Sequence, residues 1–340
     1  MSFGYHDENS GLQYAGTTLD GLFAQRANLV SPSFWRLVAG IVRFNAPALA
    51  DLESGALRGL TMGDYLARRG FGAGFRDHYV LPIGAAIWST GLGGMLDFPA
   101  ETFVRFFKNH GLLSITDRAR WQTVVGGSHS YVKAFRAKFS GSIASNAPVE
   151  SLRRLPGGGV EVRARGVEPR TFDRAVVATH ADEALALLAD PSDDERALLG
   201  AWSYSRNRTV LHHDVSLLPG NRRAWASWNY RRIAGEDGGG PASLTYDMTR
   251  LQGLRCEKRW LVTLNPRREP SPAAVARELT YFHPVYTFAS IAAQARLPSL
   301  NGRRSTWFCG SYFGYGFHED AVTSALAVAR DFAQTPSEVS

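Results

Sequence analysis

The sequence predicts a mixed protein, α/β or α+β, and three patterns carry that prediction. Apolar residues recur at three- and four-residue steps through residues 32–50 and again after residue 128. Residues 149–178 alternate between apolar runs and glycine- or proline-bearing turns in the manner of a β-meander. Short β-like stretches separated by turn-rich spacers then fill residues 208–264. The 340 residues, 44% of them hydrophobic, suffice for a large core and for two or so domains. No internal repeat and no low-complexity tract interrupts the chain.

Taken in order, residues 12–22 read as a short strand before a helix, with the Thr17–Thr18 pair between them. From Pro32 to about Ala50, Phe34, Trp35, Val38, Ile41 and Val42 keep helical spacing, and Pro32 suits a first turn. Thr61, ahead of Met62-Gly63-Asp64, reads as a helix cap, and residues 75–88 are markedly apolar. Gly126-Gly127-Ser128 opens a helix in which Tyr131, Phe135 and Phe139 repeat every four residues. The meander follows: 149–155, the turn Pro156-Gly157-Gly158-Gly159, the alternating Val160, Val162 and Ala164, a turn near Glu168-Pro169, and the strand Ala175 to Ala178. A helix is expected from Asp182 to Leu188. Strands are expected at 209–211, 224–228, 243–246 and 260–264, with Gly238-Gly239-Gly240-Pro241 as one spacer. The chain closes on a strand from Thr306 to Ser311 and a helix from Glu319 to about Ala333, with Val322, Ala325, Leu326, Ala329 and Phe332 along one face.

Composition excludes several functions. Lys and Arg number 38 against 31 Asp and Glu, a net charge of +7 with a sequence pI near 9.6. That balance admits an acidic partner: nucleic acid, an acidic ligand, or peripheral contact with an anionic membrane. The basic residues are scattered and no binding motif accompanies them, so nucleic acid is not expected. Two cysteines, Cys256 and Cys309, are too few for a disulfide framework or a cysteine-based metal cluster, and no metal site is expected. The polar opening Met-Ser-Phe-Gly-Tyr-His-Asp-Glu lacks the pattern of a signal peptide, and no run of about eighteen apolar residues occurs. A cytoplasmic location is the expectation.

The segment that carries chemistry is Trp307-Phe308-Cys309-Gly310-Ser311-Tyr312-Phe313-Gly314-Tyr315-Gly316-Phe317-His318-Glu319-Asp320-Ala321. A strand ends in glycine, a glycine-rich aromatic turn follows, and a helix begins behind it. Glycine at a strand end lets another group approach the backbone, and a helix N-terminus offers N–H groups and positive dipole. Together they suit an electron-rich ligand. The same turn also serves as an ordinary connector, with Glu319 and Asp320 merely complementing the dipole.

Other candidates weigh less. Gly126-Gly127-Ser128-His129-Ser130 lacks the glycine that a nucleophile elbow needs after its serine. His212-His213-Asp214 has metal-ligand residue types, but neighbours on a strand point to opposite faces. His318 beside Glu319 reads as a helix cap. Trp88, Phe34, Trp35 and Phe71 read either as plain core or as lining for an apolar cavity.

The 307–321 segment resembles the C-terminal flavin signature of the FAD-dependent amine-oxidase and phytoene-desaturase-like superfamily, with Gly316, Phe317, Glu319 and Ala321 in register. Three further stretches resemble family motifs in the same order: Val124-Val125-Gly126-Gly127-Ser128, Asn146-Ala147-Pro148-Val149, and Phe172 to Thr179. The resemblance implies an FAD-linked reductase-like fold. An incomplete Rossmann-type cofactor domain would take 120–190 and 290–335; a substrate domain of helices and a mixed or antiparallel sheet would take 1–119 and 191–289. It implies cofactor contacts at Val149, Gly310, Ser311, Phe317, Glu319 and Ala321, and a substrate cavity that includes Phe317 and Trp88. Cys309 lies inside the signature strand and Cys256 far upstream, so the resemblance implies noncovalent FAD.

The family's opening βαβ unit, with its Gly-x-Gly-x-x-Gly phosphate cradle, has no counterpart in residues 1–40, and the expectation is that it precedes Met1. None of Lys108, Lys133, Lys138 or Lys258 aligns with the lysine that many amine oxidases hold near the flavin. The function implied is dehydrogenation of an apolar substrate, lipid or amine, by hydride transfer to flavin. The alternative is a non-catalytic or partner-binding module that no longer holds FAD.

Overall fold

The computed structural model describes residues 2–16, 18–114, 122–233 and 240–334. Thr17 and Gly238–Gly239, which the sequence reading places between elements, lie outside the described residues. The chain divides into two compact units, Met1–Phe139 with Ser205–His283, and Ser140–Tyr204 with Pro284–Ser340.

The first unit opens with β1 (Phe3–Asp7) and β2 (Gln13–Ala15), paired antiparallel. Gly4 is demanded there, since a Cβ would stand 2.6 Å from the Ala224 carbonyl oxygen. After α1 (Leu19–Leu22), helix α2 (Pro32–Ser54) is capped by the Ser31 hydroxyl and ended by Gly55 in the left-handed region (φ 76°). Its buried face is Phe34, Leu37, Gly40, Phe44, Ala48 and Leu52. Trp35 and Val42, which spacing groups with Phe34, are exposed instead. The helix is apolar on two sides, and packing covers only one.

Helix α3 (Met62–Arg68) begins with the expected cap, a reciprocal pair between Thr61 and Asp64. The Tyr65 hydroxyl and Arg69 Nε donate to Asp51 Oδ2 at 2.9 and 2.8 Å, so the buried carboxylate of α2 is satisfied. α4 (Ala73–Phe75) passes through one π-helical turn, Arg76–Val80, into α5 (Leu81–Trp88). In that turn His78 Nδ1 meets the Tyr5 hydroxyl of β1 at 2.9 Å. α6 (Leu92–Leu96) and α7 (Ala100–Asn109) follow, and Phe98, Phe103 and Phe106 surround Trp88 at ring distances of 4.4–5.7 Å. α8 (His129–Lys138) starts after left-handed Gly126 and Gly127 and buries none of its residues.

The remaining strands are numbered along the chain: β3 (Val149–Arg154), β4 (Val160–Ala164), β5 (Arg170–Phe172), β6 (Ala175–Val177), β7 (Ser203–His212), β8 (Trp228–Arg232), β9 (Ser243–Asp247), β10 (Leu261–Leu264), β11 (Val275–Val285) and β12 (Thr306–Phe308). The large sheet has the order β11-β7-β10-β9-β8-β1-β2. All its registered pairs are antiparallel except β1 with β8, where Phe3 faces Trp228. The expected strand at 224–228 starts later, because Arg222–Ala224 turns as a short 3-10 helix. β11 has no counterpart in the sequence prediction: Pro284 and the run Arg277-Glu278 disguise a strand that lies at the sheet edge, where both are tolerated.

Within this sheet His212 is fully buried, its Nε2 at 2.7 Å from Thr263 Oγ1 and its Nδ1 accepting from the Asp214 N–H at 3.1 Å. It is a core histidine, as the alternation of strand faces requires. Burial holds His212 below its ordinary pKa, and burial does the same to His6 and His78. Unfolding therefore takes up protons, so the stability these groups contribute is present above about pH 6.5 and is lost as pH falls. The urea midpoint should drop between about pH 7.5 and 5.5, and less steeply in His212→Gln. A midpoint that holds or rises on acidification contradicts this.

The second unit contains the three-stranded meander β3-β4-β5 and a two-stranded parallel sheet, β6 beside β12, with Trp307 opposite Val176. Four helices complete it with those numbered in chain order: α9 (Ala181–Leu187), α10 (Asp193–Leu199), α12 (Phe288–Gln294) and α13 (His318–Gln334); α11 (Met248–Gln252) belongs to the first unit. Capping boxes start α10 at Ser192 and α12 at Thr287. Among the described residues no helix is long and apolar enough to cross a membrane.

Candidate functional site

β12 ends at Phe308, three residues before the expected end at Ser311 and two short of Gly310, and Cys309 donates its N–H to the Val177 carbonyl at 3.1 Å. Gly310 then adopts φ 155°, ψ 172°, a conformation open almost solely to glycine. Ser311–Phe313 wind as a 3-10 turn, Gly316 is left-handed at φ 92°, and α13 begins at His318. Ser311 thus lies in the turn, not in the strand.

The turn is held from behind. Ser324 Oγ accepts from the Gly310 N–H at 2.9 Å. Gln294 Nε2 donates to the carbonyls of Tyr312 and Gly314 at 2.9 and 2.7 Å, and the Tyr286 hydroxyl donates to Gly314 at 2.9 Å. Asp320 Oδ2 accepts from the Phe317 N–H at 2.9 Å, so the cap of α13 is Asp320, while Glu319 points into solvent. The expected apolar face of α13 is corrected here: Val322, Ala325, Leu326 and Ala329 are exposed, and Ser324 and Val328 are the buried residues. Hydrogen bonding of Ser324 to Gly310 turns the helix that way.

Tyr312, inside the motif but not singled out by it, dominates the interior of the turn. Its ring stands against Gly310, where a Cβ would lie 2.7 Å from Tyr312 Cε1 and 3.3 Å from the Thr179 carbonyl oxygen. The space beside Gly310 is therefore filled by this ring. Trp202 meets the ring edge-on at 5.8 Å, and Tyr204, which accepts from the Ala181 N–H at 2.9 Å, stacks on His180 at 4.4 Å. Burial pushes the Tyr312 and Tyr204 hydroxyls well above their ordinary range, so both stay protonated donors. The Tyr312 hydroxyl and the Trp202 indole N–H are buried with no hydrogen-bond partner among the described residues. Such orphans are rare and each calls for an explanation.

Gly310, Ser311, Phe317, Glu319 and Ala321 thus sit on one strand-turn-helix segment, and Val149 opens β3, exposed, in the same unit. Trp88, in the first unit, is buried and enclosed by Phe98, Phe103 and Phe106. Sequence reasoning missed Trp202, Tyr204, Tyr286 and Gln294, none of which stands in a motif. No cluster of three or more metal-ligating side chains occurs among the described residues.

No protein-family model and no curated protein matches this chain. Solved structures do. Wild-type putrescine oxidase bound to putrescine superposes with a TM-score of 0.64 at 14% identity, covering 98% of this chain and 81% of that one. This chain shares the fold of that oxidase. The CLA-producing fatty acid isomerase from P. acnes gives 0.62 at 15% identity, covering 98% and 80%. Cyclohexylamine oxidase from Brevibacterium oxydans IH-35A gives 0.58 at 14%, covering 98% and 81%. At these identities the likeness concerns the fold alone.

Whether the residues suit the cofactor of that fold is answered by the orphaned donors. Two buried N–H and O–H groups beside the signature turn want acceptors, and a flavin carries acceptors along its ring edge and side chain. The Tyr312 and Trp202 donors are chemically complementary to such acceptors, though Trp88 Nε1 and Arg232 Nε in the first unit lack partners among the described residues as well. A phosphate cradle of the Gly-x-Gly-x-x-Gly type does not occur in the sequence.

Proposed function

We propose that this chain carries the signature half of an FAD-dependent oxidoreductase that dehydrogenates an apolar lipid or amine substrate. The observation that supports the reading best is the pair of unpartnered donors, Tyr312 and Trp202, behind a flavin-signature turn in an amine-oxidase fold. When bound, the flavin supplies an acceptor for hydride from a substrate C–H bond. The chain's own residues bind and position. Asp320 holds the Phe317 N–H and so fixes the mouth of α13, whose dipole favours negative charge developing nearby without reorganising. Phe317 offers an aromatic face to an apolar substrate. Ser324, Gln294 and Tyr286 lock the turn between the glycines. Cys309 is buried in the second unit and burial raises its thiol pKa, while Cys256 is exposed in the first, an arrangement in keeping with noncovalent FAD. The substrate is expected to be small or lipidic, with no nucleic acid involved.

A second reading, a partner-binding module without flavin, draws support from the Tyr312 ring that occupies the space at Gly310. Titration with FAD separates the two, followed by flavin fluorescence and by the melting temperature of the flavin-free protein. The parent chain should bind, and Tyr312→Phe should bind about tenfold more weakly, the worth of one buried hydrogen bond. The flavin-free variant should melt at the same temperature or higher, because it sheds a hydroxyl that has no partner. No binding by the parent favours the module; binding unchanged by Tyr312→Phe removes Tyr312 from the site.

A further inference from the structure

From Gly21 to Ala50 the sequence contains no acidic residue, while it carries Arg26, Arg36 and Arg43. In the first unit this segment builds a raised apolar surface. Leu19, at the start of α1, is 76% exposed; Leu29 and Val30, in a 3-10 turn (Arg26–Val30), are 49% and 84% exposed; Trp35, in the first turn of α2, is 47% exposed. The four are held in one frame. Trp35 donates its indole N–H to the Leu29 carbonyl at 2.8 Å and packs its ring on buried Phe23 at 5.4 Å. Phe23 in turn donates its N–H to the Leu19 carbonyl at 3.0 Å. Two turns further along α2, Val42 and Arg43 continue the exposed side.

The rim of this surface is cationic. Its one carboxylate, Asp20, is shared by Arg26 and by Arg223, the latter at 3.6 Å, so a surplus of guanidinium remains with exposed Arg36 beside Trp35. Apolar side chains exposed singly are ordinary, but several held together in one frame mark a surface that meets something. The cover must accept both protruding hydrocarbon and arginine. Lipid with anionic headgroups does so: the tips enter the acyl boundary, guanidinium groups pair with phosphate, and an indole sits well at that depth. Leu19 and Val30 stand out singly from a helix start and a turn, a shape that suits a fluid surface.

We propose that residues 19–43 dock this protein onto an anionic membrane surface, with Leu19, Leu29, Val30 and Trp35 entering the lipid. This surface acts whether or not the chain holds flavin, so its test needs no cofactor.

The test is sedimentation of the full chain with phosphatidylcholine vesicles, with and without phosphatidylglycerol, at low and high salt. The parent should bind the phosphatidylglycerol vesicles at least about tenfold better than neutral ones, and salt should weaken that binding. Leu19→Asp and Val30→Asp should each cost about tenfold in vesicle affinity, and Arg36→Glu should weaken it too, all with unchanged melting temperature because the residues are exposed. Full vesicle binding by a Leu19→Asp/Val30→Asp double variant overturns the proposal. So does a parent that ignores phosphatidylglycerol; if that parent self-associates on gel filtration and Val30→Asp does not, the surface belongs to a protein contact instead.

Discussion

Arg154→Leu should lower the stability of the second unit by about 3–5 kcal/mol, the usual cost of leaving a buried ionic partner alone. Arg154, near the end of β3, is one of the few charged side chains in the chain that is almost wholly buried, at 3% exposed. Its guanidinium pairs with Glu195 of α10, itself 5% exposed, reaches Asp190 Oδ1 at 3.1 Å, and donates to Thr306 Oγ1 on β12 at 3.1 Å. One side chain therefore ties the meander, the parallel strands and a helix together. Its partner Glu195 also lines an open pocket of about 360 Å³, with Leu300, Arg303 and Arg304 among others. Removing the cation leaves the buried Glu195 carboxylate with only the Ser192 N–H, at 2.7 Å, among the described residues. Removing both charges is another matter, since a packed apolar pair often equals a buried ion pair. Urea unfolding of Arg154→Leu, Glu195→Leu and the double variant decides it: the double should recover most of the loss. A double variant as damaged as the sum of the singles would show that the carboxylate left behind is not the cause.

Gly310→Val should cost about 2–5 kcal/mol, adding backbone strain to overpacking. The φ of 155° is not one that a branched side chain adopts, and the new Cβ would meet the Tyr312 ring at 2.7 Å. The variant should melt lower with or without FAD. The loss is one of packing and backbone strain in the fold itself. Tyr312→Ala beside Gly310→Val should restore only part of the loss, because it clears the contact and leaves the strain. A Gly310→Val protein that melts like the parent would refute this packing.

What the sequence disclosed was local. The Thr61–Asp64 cap, the helix after Gly127 and the meander from Val149 to Phe172 depend on neighbours a few residues apart and formed where expected, whereas the strand at Ala175, expected to continue that meander, pairs with distant β12 instead. The signature turn was legible for the same reason. What failed depended on partners distant in sequence. Val322 and Leu326 look like the inward face of α13, yet Ser324 wins that side through its bonds with Gly310. Trp35 looks like core and is exposed, because α2 has more apolar surface than its neighbours cover. Tyr312 and Trp202 became a pair only when the fold brought them together, and no spacing announces two donors without acceptors.

The parallel pairing of β1 with β8 has a consequence for the birth of the protein. Ser2 and Ser227 share a hydrogen bond across 225 positions, and Phe3 through Asp7 lie beside Trp228 through Arg232. At about 5–20 residues per second, a ribosome releases β8 roughly 10–45 s after β1. For that interval the first strand has β2 on one side and nothing on the other. The entropy of closing so long a loop grows only with the logarithm of its length, so delay, more than equilibrium, is the hazard. A bare strand edge carrying Phe3 and Tyr5 invites pairing with other nascent chains. Yield in the cell should therefore follow translation speed and chaperone supply more closely than it follows the melting temperature of the finished fold.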